Sequence, residues 1–129
     1  MTRCIFLKHG PEDFDDNDFR KNLPKFSKEN FPTILKVADG LEEIGKAHGA
    51  TPAQVAIAWL VKQGVIPIPG AKQLKYIEEN LAAAKLKLSE DDLKQIRTLA
   101  DESEKNTKGD RYPPAFLEQL LVDTPPLDV

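Results

Sequence analysis

The residues best suited to bind a ligand lie in the segment 64–80, where a short apolar run leads through a loop into a predicted helix. The run ends at Pro69 and Gly70, and Lys72 and Lys75 follow closely. The first N–H groups of a helix have no partner within the helix and lie at the positive end of its dipole. Such a position attracts anions, and the two lysines add positive charge beside it. This segment therefore predicts a phosphate-binding site.

Four helices and one strand are predicted to position this segment. Apolar residues recur at steps of three and four in four stretches, which is the pattern of helices that bury one face. These stretches are residues 32–48, 51–64, 74–84 and 89–100. Thr51–Gln54 and Ser89–Asp92 have the composition of capping boxes at helix starts. The apolar run at 65–68 is predicted to be a strand, although the prolines beside it cannot donate ladder hydrogen bonds.

Two less regular segments flank these elements. Residues 11–31 mix acidic and aromatic side chains without a helical or strand period, so we predict a long loop. It is interpreted either as a functional loop or as a solvated acidic surface with aromatic anchors. Its aspartates lack the spacing and distal glutamate of a calcium loop, so no metal site is predicted. Residues 101–129 are polar and then proline-rich, which predicts a packed tail with a short helix at 116–121.

The composition excludes several classes of protein. The 129 residues are 40% hydrophobic and 30% charged, which is typical of a folded globular chain. A net charge of −3 gives no electrostatic basis for binding nucleic acid or an anionic membrane. No apolar run approaches the roughly 18 residues that indicate a membrane span. The single cysteine, Cys4, cannot form an internal disulfide, and we expect a reducing, cytoplasmic location.

One longer motif and several shorter ones stand in a distinctive order along residues 11–100. Residues 66–72 are Ile-Pro-Ile-Pro-Gly-Ala-Lys, and Glu78-Glu79-Asn80 follow. The shorter motifs are Asp18-Phe19-Arg20, Leu23-Pro24-Lys25-Phe26, Glu29-Asn30-Phe31, Thr51-Pro52-Ala53-Gln54, Ala58-Trp59 and Leu88-Ser89. In this order and spacing they resemble the aldo-keto reductase superfamily. The longer motif resembles the NADP-binding segment that follows the last strand of that family's barrel.

The resemblance implies NADP(H) as cofactor, a small-molecule carbonyl compound as substrate, and a cofactor-binding role for six residues. These are Gly70, Ala71, Lys72, Tyr76, Glu79 and Asn80. Gly70 and Ala71 would offer backbone N–H groups to the adenosine phosphate, and Lys72 would pair with the 2′-phosphate that distinguishes NADP from NAD. Glu79 and Asn80 would meet the adenine. Tyr76 departs from the family, in which Arg or Gln is frequent there, although its ring could stack on the adenine.

The resemblance also implies an α/β fold, because the family folds as a (β/α)₈ barrel. A complete barrel takes about 250 residues, and this chain has 129. We therefore expect residues 1–129 to be a C-terminal fragment of one aldo-keto reductase domain. This partial TIM barrel would hold the last one to two βα units with the C-terminal helices and tail, and would be helix-rich as it stands. Its expected order is a loop (11–31), helix-helix-strand-helix-helix (32–100) and a tail (101–129).

No catalytic residue is predicted. The family's reductases use a tyrosine acid supported by lysine, aspartate and histidine on earlier barrel strands, and nothing in this sequence matches those positions. His9 lies in an N-terminal region that diverges from the family. His48 stands at a predicted helix end, where we expect it to complement the helix dipole at the surface.

Three hypotheses for the chain stay open. The first is the C-terminal, adenosine-binding part of an NADP-dependent aldo-keto reductase, a carbonyl and alcohol oxidoreductase. The second is a truncated, non-catalytic nucleotide-binding or interaction protein derived from that fold. The third is a product that does not fold alone. Separately, Lys72 and Lys75 can be interpreted as ordinary solvated lysines, with Glu78 and Glu79 as surface acids of the helix. An incomplete barrel exposes a strand edge and apolar helix faces, so self-association through that edge is expected.

Overall fold

A computed structural model describes residues 10–118 and residue 120, and within these residues it contains helices and no β-strand. The helices are α1 (Phe31–His48), α2 (Pro52–Lys62), α3 (Leu74–Ala82), α4 (Glu90–Asn106) and α5 (Pro114–Leu117). Short 3₁₀ helices lie at Pro11–Asp13, Phe19–Asn22, Pro24–Phe26 and Ala83–Lys85. The first four α-helices lie in the four stretches with helical periodicity. Helix α4 continues past residue 100, because polar residues that carry no apolar signal still form helix there.

Local sequence signals explain where the helices begin and end. Both predicted capping boxes are present, and the one at α2 joins Thr51 and Gln54. The Gln54 backbone N–H donates to Thr51 Oγ1 at 3.2 Å, and the Thr51 backbone N–H donates to Gln54 Oε1 at 2.9 Å. Ser89 and Asp92 make the same reciprocal pair at the start of α4. Helix α1 ends at Gly49, whose φ of 61° is left-handed and therefore suits glycine.

Helices α1, α2 and α4 share the main hydrophobic core. Its buried residues are Leu41, Ile44, Val55, Ala58, Leu88 and Ile96. Val55 is completely inaccessible to solvent. Trp59 is partly buried at the margin of this core. The Arg97 guanidinium lies 5.0 Å from the centre of its ring, a cation–π contact that covers part of the exposed indole.

Close packing and polar contacts join α1 to α4. A Cβ atom at Gly40 would stand 2.3 Å from Leu99 Cδ1, so the glycine allows the two helices to approach. Lys36 Nζ lies 2.6 Å from Glu102 Oε2 across the same seam. At the other end, His48 Nε2 lies 2.8 Å from Asp92 Oδ2. His48 therefore pairs with the neighbouring helix start as well as ending α1.

Asp92 is one of the groups whose pKa this packing changes. Burial disfavours its charged form, but hydrogen bonds from Ser89 and His48 outweigh that effect and hold the pKa of Asp92 below its ordinary value. The Ser89 hydroxyl lies 2.7 Å and the Ser89 backbone nitrogen 2.8 Å from Asp92 Oδ2. The ionised carboxylate thus holds the first turn of α4 and its contact with α1 together.

The segment before α1 forms a second apolar cluster. Its buried side chains are Phe14, Leu23, Phe26, Phe31 and Ile34. The Phe14 ring meets the Phe26 and Phe31 rings edge-on at 5.8 and 5.9 Å between centroids, and the Arg20 guanidinium lies 4.4 Å from the Phe14 centroid. The predicted loop is therefore a series of 3₁₀ turns fixed by aromatic residues, with Asp15 and Asp16 exposed at its surface.

A buried asparagine joins this segment to the chain beyond α4. Asn30 is only 1% exposed, and its Nδ2 donates to the backbone oxygens of Pro24 and Lys108 at 2.9 and 2.8 Å. Its Oδ1 accepts the backbone N–H of Lys108 at 2.9 Å. Phe19 and Phe116 extend this connection through a ring contact of 5.8 Å. The start of the predicted tail is thereby packed against residues 11–30.

The predicted strand at 65–68 is wrong for the described residues, which contain no strand at that position. A strand needs a hydrogen-bonded neighbour, and no described segment pairs with this one. Ile66 and Ile68 are 87% and 96% exposed. Val61 near the end of α2 is also about half exposed.

Several sequence-based expectations lie outside the described residues. These concern Cys4, His9 and residues 119 and 121 of the predicted tail helix. The rest of that prediction is wrong after Leu117, where α5 ends, because residues 118 and 120 are not helical. Within residues 10–118 and 120, no helix combines the length and hydropathy required to cross a membrane.

Candidate functional site

The predicted phosphate site is an exposed loop between α2 and α3. Gly70, Ala71 and Lys72 are all solvent-exposed and lie immediately before the first turn of α3. Gln73 occupies the N-cap position of α3 and makes no side-chain capping bond. The start of this helix therefore offers backbone N–H groups beside Lys72, which is the arrangement expected of an anion site.

The remaining three predicted residues lie on α3 itself. Tyr76, Glu79 and Asn80 are each partly buried. Positions three and four apart in a helix share a face, so Glu79 and Asn80 lie on the same side of α3 as Tyr76. Lys75 Nζ lies 4.9 Å from the centre of the Tyr76 ring. The structure thus places all six predicted residues on one continuous loop-and-helix segment.

A polar connection from α2 reaches this segment and was not predicted from the sequence. Thr51 Oγ1 donates to Glu79 Oε1 at 2.7 Å. Gln54 Nε2 donates to the backbone oxygen of Glu79 at 3.2 Å. The capping-box signal of Thr51 and Gln54 was visible in the sequence. Their contact with a residue more than 20 positions later was not, because no local pattern encodes it.

Concave surfaces also lie away from this segment. Two adjacent grooves, of about 290 and 500 Å³, follow the seam between α1 and α4. Pro32, Lys36 and Leu99 contribute to both, and none of the six predicted cofactor residues lines either groove. The site that the sequence predicts is consequently an exposed surface that does not coincide with either of these two grooves.

Comparison with known proteins shows what this chain is similar to. The sequence model of the Aldo/keto reductase family matches residues 7–101. Aldo-keto reductase str7 of Strobilurus tenacellus is 50% identical over 119 residues, which are 91% of this chain and 34% of that protein. Aldo-keto reductase yakc of Schizosaccharomyces pombe, whose name includes NADP(+), is 44% identical over 119 residues, again 91% of this chain and 34% of that protein.

A third relative is also covered only in part. An aldo-keto reductase of Gibberella moniliformis is 39% identical over 102 residues, which are 79% of this chain and 31% of that protein. The chain thus spans about a third of the length of the curated relatives it matches. No solved structure matches the chain.

Proposed function

Because the chain belongs to the aldo/keto reductase family, we propose that it is the C-terminal, adenosine-binding part of an NADP-dependent carbonyl and alcohol oxidoreductase. The family folds as a (β/α)₈ barrel. In this proposal residues 1–129 hold the last one to two βα units of the barrel, with the loop (11–31), the elements of 32–100 and the tail (101–129) belonging to one domain. A small-molecule carbonyl compound is the proposed substrate class, and the cytoplasm is the proposed location.

The observation that carries the proposal is the exposed loop that enters the uncapped start of α3. Gly70 and Ala71 offer backbone N–H groups there, and Lys72 provides the charge for the 2′-phosphate of NADP. A Cβ atom at Gly70 would meet nothing within 4 Å, and Gly70 is not among the glycines with positive φ. The described packing therefore does not require glycine at this position, which favours close approach of a ligand as its role.

Adenine recognition is proposed for α3. Asn80 can donate from its amide nitrogen and accept at its amide oxygen, which matches the acceptor and donor edge of adenine. Tyr76 supplies an aromatic face on the same side of the helix, with the Lys75 ammonium against it. The S. pombe relative, whose name carries NADP(+), supports this cofactor for the family segment.

The direct test is nucleotide binding to the 129-residue chain by isothermal titration calorimetry. We expect NADP⁺ to bind more tightly than NAD⁺, and Lys72→Ala to weaken NADP⁺ about tenfold while changing NAD⁺ little, because only NADP⁺ carries the 2′-phosphate. Lys105→Ala, which removes an exposed lysine of α4, is the matched control and should leave both affinities unchanged. Equal losses for both nucleotides would contradict the role of Lys72. Absence of NADP⁺ binding by the wild-type chain would contradict the proposed function of this chain.

One structural observation favours a second candidate, a non-catalytic nucleotide-binding or interaction protein. Ile66 and Ile68, with Leu74 of α3 at 70% exposure, form an open apolar surface. Such a surface is typical of an interface between proteins. Pro67 and Pro69 have no N–H group, so pairing with another chain would use the amides of Ile66 and Ile68. We propose self-association through this segment when no other part of a barrel covers it.

A further inference from the structure

Helix α3 carries the proposed adenine site but has little of its own to hold it in place. None of its residues from Leu74 to Ala82 is buried, and no side chain caps its start. Its nine residues are fewer than an isolated helix needs to be stable in water. The adjoining 3₁₀ turn does contain a buried residue, Ala83, which is 1% exposed. Apolar burial therefore anchors the segment after α3, while the turns that bear Tyr76 and Glu79 depend on other contacts.

Two of those other contacts come from the capping box of α2. Glu79 receives two hydrogen bonds from it, one from the Thr51 hydroxyl to Glu79 Oε1 at 2.7 Å and one from Gln54 Nε2 to the Glu79 backbone oxygen at 3.2 Å. One bond fixes the side chain and the other fixes the backbone of the same residue. Within the capping box itself, Gln54 Oε1 accepts from the Thr51 backbone nitrogen, so the amide is already oriented for its second bond.

We infer that Thr51 and Gln54 are positioning residues for the nucleotide site, because they hold α3 at Glu79 and thereby place Tyr76 and Asn80. This inference rests on the proposed function. Thr51 and Gln54 contact α3 and would not contact the nucleotide itself. The chain contains a matched comparison, since Ser89 and Asp92 form the other capping box and Asp92 also bonds to His48 of α1. If losing any capping box weakened nucleotide binding, substitutions in either box would do so. If the link to α3 is what matters, only substitutions at Thr51 or Gln54 would do so.

Two substitutions separate the link from the cap. In Gln54→Glu the carboxylate still accepts the Thr51 backbone N–H, and glutamate is a usual capping-box residue at this position. It cannot donate to the Glu79 carbonyl, and it brings a negative charge beside Glu79. Thr51→Ser keeps a hydroxyl for both the cap and Glu79, so it is the conservative variant.

The experiment measures two quantities on the full 129-residue chain. The first is the affinity for NADP⁺ by calorimetry at pH 7.5, and the second is amide hydrogen exchange of peptides covering residues 74–82. For Gln54→Glu we expect NADP⁺ to bind about three- to tenfold more weakly, as befits the loss of one hydrogen bond, and α3 amides to exchange faster. Thr51→Ser should stay near wild type in both. Ser89→Ala, which breaks the other capping box, should leave NADP⁺ affinity and α3 exchange unchanged.

Different results overturn different claims. If wild-type chain binds NADP⁺ and Gln54→Glu binds it equally well, the positioning role is wrong while the proposed function stands. If Ser89→Ala weakens NADP⁺ as much as Gln54→Glu, the effect is general destabilisation and the inference fails. If wild-type chain binds no NADP⁺, the proposed function fails, and hydrogen exchange still decides whether Gln54 holds α3. Unchanged exchange in Gln54→Glu refutes the link itself.

Discussion

Replacing Asn30 by aspartate tests whether one buried amide holds the two ends of the described chain together. The amide donates to the backbone oxygens of Pro24 and Lys108 and accepts the Lys108 backbone N–H. Aspartate has nearly the same shape and keeps an acceptor for that N–H. It has no donor for the two carbonyl oxygens when ionised. The substitution Asn30→Asp therefore removes two hydrogen bonds and places a charge where only 1% of the residue is exposed.

The structure sets the size of the expected effect. Losing each hydrogen bond lowers the free energy of unfolding by about 1 kcal/mol. Leaving the two buried carbonyl oxygens facing a carboxylate lowers it by about 1–3 kcal/mol more. We expect the free energy of unfolding to fall by about 3 kcal/mol at pH 7, a large part of the roughly 5–15 kcal/mol of a typical domain. Burial also raises the pKa of the introduced carboxyl group. Stability is therefore lost as the pH rises above about 4, the pKa of an unfolded aspartate, and the deficit is smaller below it.

The assay is equilibrium urea unfolding followed by circular dichroism at pH 4 and pH 7, with limited proteolysis of residues 11–30 as a local readout. Asn22→Asp is the matched control, because it makes the same charge change at an exposed position of the 3₁₀ helix Phe19–Asn22. The reasoning is refuted if Asn30→Asp and Asn22→Asp are equally stable at pH 7. It is also refuted if the deficit of Asn30→Asp is the same at both pH values.

Two further predictions concern acid stability and association. The lowered pKa of Asp92 in the folded chain means that its stabilisation is complete above about pH 4 and is lost as the pH falls through that lowered pKa. In urea unfolding, Asp92→Asn should therefore be less stable than wild type at pH 7 and approach it near pH 2.5, and a constant gap would contradict the contact with Ser89 and His48. In sedimentation velocity, the wild-type chain should self-associate with rising concentration and Ile68→Lys should remain monomeric. Equal association of the two would show that the exposed segment is not the interface.

The helices were predictable because their signals are local. Apolar periodicity located α1 to α4, and the residues at Thr51–Gln54 and Ser89–Asp92 encode capping boxes that the structure contains. A capping box spans four consecutive residues, so the local sequence is enough to predict its hydrogen bonds. The end of α4 was not predicted, because its last turns lack such a local signal. Its last turns are polar and solvent-facing, and periodicity of apolar residues carries no information about such turns.

The strand and the long-range polar contacts were not predictable in this way. Val65–Ile68 has the residue types of a strand, but a strand exists only with a paired neighbour, and the described residues provide none. Asn30 bonds to Lys108, and Thr51 to Glu79, across separations that no periodicity spans. The six residues predicted to bind the cofactor were proposed from a resemblance to a family. Their places on an exposed loop and on a helix without buried residues come only from the structure.

The distribution of buried residues suggests that α3, which carries the proposed site, opens at a lower free energy than the core. Helices α1, α2 and α4 bury a common apolar core around Val55, whereas α3 has no buried residue of its own. Elements with few buried contacts open at lower free energy than the core, and ligand-binding segments are drawn from them. A nucleotide bound at the start of α3 would supply contacts that the core does not, so binding and ordering of this helix would be linked. The capping box of α2 then matters before the nucleotide binds, because its two hydrogen bonds to Glu79 are already in place. The more these hydrogen bonds order α3 in the free chain, the less of the binding free energy the nucleotide would spend on ordering it.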